Sequence, residues 1–92
     1  MILIVGYDLH NPGRDYDKIA AALKAADGGW AHPQGSVWFI DTSEEPATWR
    51  DRLGAVGDAT DEFFVAPLQH NWASRNTDKD VTDWLKDPRR RW

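Results

Sequence analysis

The sequence predicts a single α+β domain in which helices pack against an antiparallel sheet. Three observations lead to this prediction. The chain has 92 residues, which is enough for one domain with a modest core. Short runs rich in β-branched and aromatic residues alternate with segments whose apolar residues recur every three or four positions. Turn signals containing glycine or proline separate these segments, and the chain shows no internal repeat or interdomain linker.

The first two elements are a strand and a helix. Residues Ile2 to Tyr7 are apolar on both faces, which is typical of a central strand. The tripeptide Asn11-Pro12-Gly13 predicts a turn, and Asp15 is a plausible N-cap for the helix that follows. Gly28-Gly29 ends this helix. Its apolar face is formed by Tyr16, Ile19, Leu23 and Ala26.

A hairpin and a second helix come next. Ser36 to Asp41 alternate in the manner of a strand, and Trp30 to His32 form a short partner strand with Pro33 at an edge position. Residues 42–45 resemble a helix start, and Pro46 is tolerated in the first turn. Gly57 closes this helix. Its apolar stripe consists of Trp49, Leu53 and Val56.

The last strand is predicted at Asp61 to Leu68, after which the chain becomes polar. Thr77 or Asp78 is a candidate cap for a short final helix that Pro88 stops. The apolar side of this helix is formed by Val81, Trp84 and Leu85. The basic end at residues 89–92 is interpreted as a frayed, solvated terminus.

The order of these elements predicts a ferredoxin-like fold, βαββαβ, with an antiparallel sheet and two helices on one face. Residues 1–68 form this domain. Residues 69–92 form a C-terminal extension with a short helix. The sheet face without helices is apolar, so we expect either the extension or a second protomer to cover it.

Composition narrows the functional classes. The net charge of −4 argues against a generic nucleic-acid binder, because phosphate affinity comes mostly from Lys and Arg. Without cysteine, the chain has no disulfide, thiolate metal site or cysteine nucleophile. The apolar N-terminus lacks the basic region of a signal peptide, and no run is long enough to span a membrane. We therefore expect a cytoplasmic protein with no membrane association and no organic cofactor.

Three short motifs resemble those of a known family. They are LIVGYDL in the first strand, QGSVWFID in the third and DEFFVAPL in the last. With the element order, they make residues 1–68 similar to the small ferredoxin-fold, nuclease-like proteins of CRISPR adaptation, the smaller subunit of the spacer-acquisition pair. VapD toxins are relatives of that family. The tail, with NWAS and DWLKDP, is most similar to the SinR-like branch.

This resemblance implies a homodimer with a metal-dependent nuclease site at Asp8. In the family, the aspartate at this position faces its mate across the twofold axis, and the two carboxylates can hold Mg²⁺ or Mn²⁺. Mg²⁺ takes one or two carboxylates and keeps most of its waters, and dimer symmetry supplies the second Asp8. Some members of the family have a structural task and bridge larger protein partners.

Each candidate residue also has an alternative interpretation. Asp8 could simply cap the loop after its strand through backbone N–H groups. The candidate contacts to nucleic acid are His10, Arg14, Lys18 and Ser36, all of which also fit ordinary surface roles. The sequence therefore leaves two functions open. The first is a homodimeric metal-dependent endonuclease acting on RNA or DNA, and the second is a non-catalytic dimeric interaction or regulatory module on the same fold.

Overall fold

A computed structural model describes residues 1–92 and confirms the predicted α+β fold. The elements in chain order are β1 (Ile2–Asp8), α1 (Pro12–Lys24), β2 (Trp30–Gln34), β3 (Val37–Asp41), α2 (Pro46–Val56), β4 (Glu62–Pro67) and α3 (Lys79–Lys86). The first six elements follow the βαββαβ order, and α3 is the predicted short C-terminal helix. None of the helices is both long enough and apolar enough to cross a membrane.

The four strands form one antiparallel sheet in the order β2-β3-β1-β4. Each helix crossover therefore skips a strand: β3 lies between β1 and β2, and β1 lies between β3 and β4. This split arrangement is the ferredoxin-like topology. It makes β1 and β3 the central strands and leaves β2 and β4 at the edges. Register pairs Val5 with Trp38 on one side and with Val65 on the other.

The main core lies between the sheet and the helices α1 and α2. Its fully buried side chains are Leu3, Val5, Ile19, Leu23, Trp38, Ile40, Trp49 and Leu53. Both core tryptophans find a hydrogen-bond partner, as buried indoles usually do. Trp38 Nε1 donates to Tyr7 Oη at 3.0 Å, and Trp49 Nε1 donates to Thr42 Oγ1 at 3.2 Å. The predicted core roles of Trp49, Leu53 and Ile19 are confirmed.

The opposite face of the sheet is covered in part by the chain's own C-terminal segment. A second cluster of buried residues consists of Ile2, Ala31, Val81 and Leu85. Phe39, Leu68, Trp72, Trp84 and Trp92 pack around it. The helix α3 thus lies against β2 and against the Ile2 end of β1, while the Asp8 end of β1 stays uncovered.

The expected start of α1 is wrong by several residues. The helix begins at Pro12 with Asn11 in the N-cap position, and Asp15 lies inside the first turns with only 2% of its surface exposed. Proline is favoured at the first helical position because its fixed φ suits the helix and its missing N–H is not needed there. The tripeptide that predicts a turn therefore opens the helix instead.

The prediction of a frayed basic terminus is also wrong. Arg91 Nε donates to Asp41 Oδ1 at 3.0 Å, and the Asp41 side chain is 2% exposed. Arg90 Nη1 donates to the carbonyl of Gly28 at 2.7 Å, and its guanidinium lies 4.3 Å from the centre of the Trp84 ring. These contacts fasten the end of the chain to β3 and to the loop after α1.

We expect Arg91→Ala to change the acid titration of Asp27. The hydrogen bond from Arg91 lowers the pKa of Asp27 from 3.8 to about 2. Because folding lowers this pKa, the stabilisation is present above about pH 4 and is lost as pH falls towards 2. In the variant, the pKa should move back towards 3.8, and this part of the acid destabilisation should shrink. Carboxyl carbon NMR measures the titration directly.

Arg89→Ala is the matched control, because Arg89 pairs with Asp87 and makes no contact with Asp27. The Asp27 midpoint should be the same in this variant as in the wild type. An Asp27 midpoint that does not move in Arg91→Ala would show that the contact between Arg91 and Asp27 does not persist in solution.

Candidate functional site

Asp8 ends the central strand β1 on the sheet face that the helices do not cover. Side chains alternate along the strand, so that Leu3 and Val5 enter the main core and Asp8 points to the other side. Register places Glu62 of β4 directly opposite Asp8. Cβ atoms of such opposite residues are about 4.5–5.5 Å apart. Two exposed carboxylates therefore stand side by side at this end of the sheet.

The Asp8 carboxylate makes no hydrogen bond and no ion pair with any other group of the chain. The backbone contacts expected of a turn-capping aspartate are instead made by Asp61. Its Oδ1 accepts from His10 N at 2.7 Å and its Oδ2 accepts from Asp58 N at 2.7 Å. Asp61 thus holds the loop after β1, and Asp8 is left free.

Asp8 borders two shallow depressions. One, of about 330 Å³, is lined by Gly6, Asp8, Glu62 and Phe64 together with Tyr7 and Phe63. The other, of about 520 Å³, brings Asp8 together with Ser36, Tyr16 and Leu9. Ser36 lies just before β3, and its carbonyl accepts the backbone N–H of Tyr7 at 3.1 Å. Of the predicted nucleic-acid contacts, Ser36 is the residue that shares a depression with Asp8.

The predicted basic contacts do not converge on Asp8. Arg14 is held by acidic neighbours, with Nε 3.2 Å from Asp15 Oδ1 and Nη2 2.9 Å from Asp58 Oδ2. The hydrogen bond and the charge of Asp15, followed by the charge of Asp58, raise the pKa of Arg14. Lys18 is exposed on α1 and forms no ion pair. His10 is exposed, and its hydrogen bond to Asp61 is made by its backbone N–H and not by its imidazole.

An acidic cluster that the sequence did not reveal surrounds the start of α1. Hydrogen bonds from the backbone and hydroxyl of Thr60 hold the pKa of Asp58 below its usual value. Burial raises the pKa of Asp61, but hydrogen bonds from His10 and Asp58 outweigh this effect and leave it lowered. These carboxylates are occupied by protein donors, so they serve to hold the loop. The Asp58-Ala-Thr-Asp61 run, which is rich in turn-forming residues, was the available signal.

Carboxylate oxygens are the ligands that Mg²⁺ and Mn²⁺ prefer, so Asp8 and Glu62 have suitable chemistry. Both are exposed, which suits an ion that keeps several of its waters. No group of three or more His, Asp or Glu side chains in the chain is arranged to hold a metal ion. A single chain thus offers two carboxylates at this position, and a symmetric pair of chains would offer four.

Comparison of the chain with models of known families, with curated proteins and with solved structures gives no match.

We expect removal of either carboxylate to stabilise the fold slightly. Like charges directly opposite on neighbouring strands repel, so Asp8→Asn and Glu62→Gln should each raise the free energy of unfolding by roughly 0.2–0.5 kcal/mol at low salt. The double variant should gain less than the sum, because the first substitution already removes the repulsion. Urea unfolding at low and high salt measures all three.

Asp17→Asn is the control, since Asp17 is an exposed aspartate on α1 that has no cross-strand neighbour. Additive effects of Asp8→Asn and Glu62→Gln would mean that the two carboxylates do not face each other.

Proposed function

We propose that the protein is a homodimeric nuclease of the cytoplasm that depends on a divalent cation and cleaves RNA or DNA phosphodiesters. It would act in the manner of the small CRISPR-adaptation and VapD or SinR-like proteins that its strand motifs resemble. The observation that carries this proposal is the state of Asp8. Its carboxylate is exposed, free of intramolecular partners and placed beside Glu62 at the end of a central strand.

Mg²⁺ or Mn²⁺ fits this donor set, with Asp8 as the principal ligand and Glu62 as its neighbour. A cation held there would lower the pKa of a bound water and offset negative charge on a phosphodiester. The residues of the chain contribute the negative charge that attracts the ion and the rigid strand that fixes its position. Asp8 pairs with Glu62 of β4, and the preceding residues Leu3 to Gly6 are paired on both sides, which together fix the position of its backbone.

The same sheet face supports a second protomer as partner. Phe64 lies on this face of β4 with 75% of its surface exposed, and its partner in β1 is Gly6, which has no side chain to cover it. The outer edge of β4 also has no strand beside it. Exposed aromatic surface next to an unpaired strand edge is typical of an interface.

Few of the predicted basic contacts are free of an acidic partner and so available to bind phosphate. Arg14 is neutralised by Asp58 and Asp15, which leaves Lys18 among the predicted basic contacts. The slope of log affinity against log salt scales with the number of phosphates neutralised. We therefore expect the affinity of this surface for nucleic acid to depend only weakly on salt. We also expect the surface to contact only a short length of the substrate.

In the test of the nuclease, the wild type should cleave single- or double-stranded RNA or DNA when Mg²⁺ or Mn²⁺ is added, and EDTA should stop it. Asp8→Asn should lower the rate at least about 100-fold, because it removes the principal ligand. Glu62→Gln should have a smaller effect in the same direction. Gel assays of end-labelled substrates measure the rates, and analytical ultracentrifugation checks that each variant keeps its oligomeric state.

Asp17→Asn serves as the matched control and should cleave at the wild-type rate. The nuclease proposal is wrong if the wild type cleaves none of the four substrate classes with either metal. It is also wrong if Asp8→Asn keeps full activity, because a contaminating enzyme would then account for the cleavage.

The exposure of Phe64 favours a second candidate function, a non-catalytic dimeric module that binds a larger protein partner. On this alternative, the open face serves recognition and the carboxylates set its polarity. A regulator or toxin in a host–phage setting would be a special case of either function.

Phe64→Ser should weaken the dimer on both candidate functions, because it removes the largest exposed apolar side chain from the open face. We expect the dissociation constant of the dimer to rise at least tenfold by sedimentation equilibrium. Glu45→Ser, at an exposed position ahead of α2, is the control and should leave it unchanged. A wild type that sediments only as a monomer would exclude a homodimer for both functions.

A further inference from the structure

A cavity of about 410 Å³ lies between the open face of the sheet and the C-terminal segment. Its floor is apolar and is formed by Ile4 of β1 with Val37 and Phe39 of β3. Trp72 and Leu85 add apolar walls. This volume falls in the range of sites that enclose small organic molecules. The cavity lies away from Asp8, which does not line it.

The rim of the cavity is polar, and four of its five polar side chains make no hydrogen bond within the chain. Thr82 also lines the cavity, but its hydroxyl already donates to the carbonyl of Lys79 at 3.0 Å. The side chains of Gln34, Ser74, Arg75 and Thr77 line the cavity and make no hydrogen bond within the chain. Three kinds of donor, an amide, hydroxyls and a guanidinium, are therefore available at one rim.

Arg75 stands apart from the other arginines. The chain has seven arginines, and the other six each form an ion pair with an aspartate or glutamate. Arg75 has none, although the protein carries a net charge of −4 and has many carboxylates to offer. A free guanidinium beside an apolar cavity is matched by a ligand with one anionic group.

The wall that carries Arg75 is adjustable. Residues 73–77 make no backbone hydrogen bond, and Asn76 adopts a left-handed conformation with φ of 58°. Both ends of this segment are fixed, since Leu68 N donates to the carbonyl of Ile2 at 2.8 Å and α3 packs on the sheet through Val81. The wall can thus move to meet a ligand without loss of the fold around it.

We propose that this cavity is a binding site for a small amphipathic carboxylate, a molecule with an aromatic or branched apolar body and one anionic head. The apolar body lies on Ile4, Val37 and Phe39, and Arg75 pairs with the carboxylate in bidentate fashion. Ser74 and Thr77 add hydroxyl donors. The floor offers no polar partner for the ring nitrogens and exocyclic groups of a nucleobase, so a carboxylate with a hydrocarbon body suits it better.

The test uses the full chain and two probes of the same shape, 4-phenylbutyrate and its neutral amide. We expect saturable binding of the carboxylate with a Kd of about 1 mM or tighter, a strength typical of so small a ligand. The amide should bind about tenfold more weakly, because it carries no charge and cannot form a bidentate ion pair with the guanidinium. Amide and indole resonances in ¹H–¹⁵N NMR spectra should shift at Val37, Phe39 and Trp72.

Arg75→Gln should reduce affinity for the carboxylate to that of the amide. Arg50→Gln, which changes an exposed arginine of α2 outside the cavity, should leave both affinities unchanged. Val37→Phe fills the floor and should abolish binding of both probes. The same NMR spectra show whether each variant is folded.

Equal binding of the two probes, or full affinity in Arg75→Gln, would overturn the proposal. No saturable binding at 10-fold above the expected Kd would overturn it too, as would shifts confined to residues outside the cavity. Adenosine monophosphate serves as a third probe, and its binding in preference to 4-phenylbutyrate would overturn the proposal in favour of a nucleotide site. None of these outcomes depends on whether the protein cleaves nucleic acid.

Discussion

A central strand that is apolar on both faces constrains the rest of this molecule. The strand β1 has Leu3 and Val5 on the face that α1 and α2 cover, and Ile2 and Ile4 on the other. Two helices can cover only one face of a four-stranded sheet. The remaining apolar surface must therefore be buried by something outside the βαββαβ unit, or stay exposed to water at a free-energy cost that scales with its area.

The C-terminal segment covers only part of this apolar face. Both candidate sites lie where the coverage is incomplete. It buries Ile2 under α3, arches over Ile4 to leave the cavity, and does not reach the Asp8 end. Along this face of β1, Ile2 is therefore buried, Ile4 lies in the enclosed cavity and Asp8 is open to solvent. The carboxylates and Phe64 lie where the coverage ends.

This coverage depends on the contacts that fasten the end of the chain. Asp41 is buried, and a buried carboxylate without a partner strongly destabilises a fold. The ion pair with Arg91 offsets the charge of this carboxylate. Gly28 makes the approach possible, because a Cβ there would lie 2.6 Å from both Arg91 Nη2 and Asp41 Cγ. A change at Gly28 would thus disturb the wall of a cavity elsewhere in the molecule, by displacing the arginines that hold the tail.

The sequence predicted what depends on local pattern and missed what depends on distant contacts. Periodicity placed every strand and helix within a few residues, and the order of the elements gave the topology. Asp15 was taken for a cap because its burial cannot be read from neighbouring residues. The same limit hid the pairing of Arg91 with Asp41, 50 residues apart, and the role of Asp61 in holding the loop at His10, 51 residues away. Asp8 was predicted as a candidate, but its partner Glu62 becomes visible only through the register of β4.

The two candidate functions place different requirements on the pair formed by Asp8 and Glu62. An interface that only holds protomers together gains nothing from two carboxylates placed opposite each other, since their repulsion weakens both the strand pair and the interface. A cation site gains its affinity from the same arrangement, because the ion removes the repulsion when it binds. Local features that destabilise the fold and have no structural role are expected at functional positions. Phe64 fits either function, so the free carboxylate of Asp8 beside Glu62 is the feature that favours the metal-dependent one.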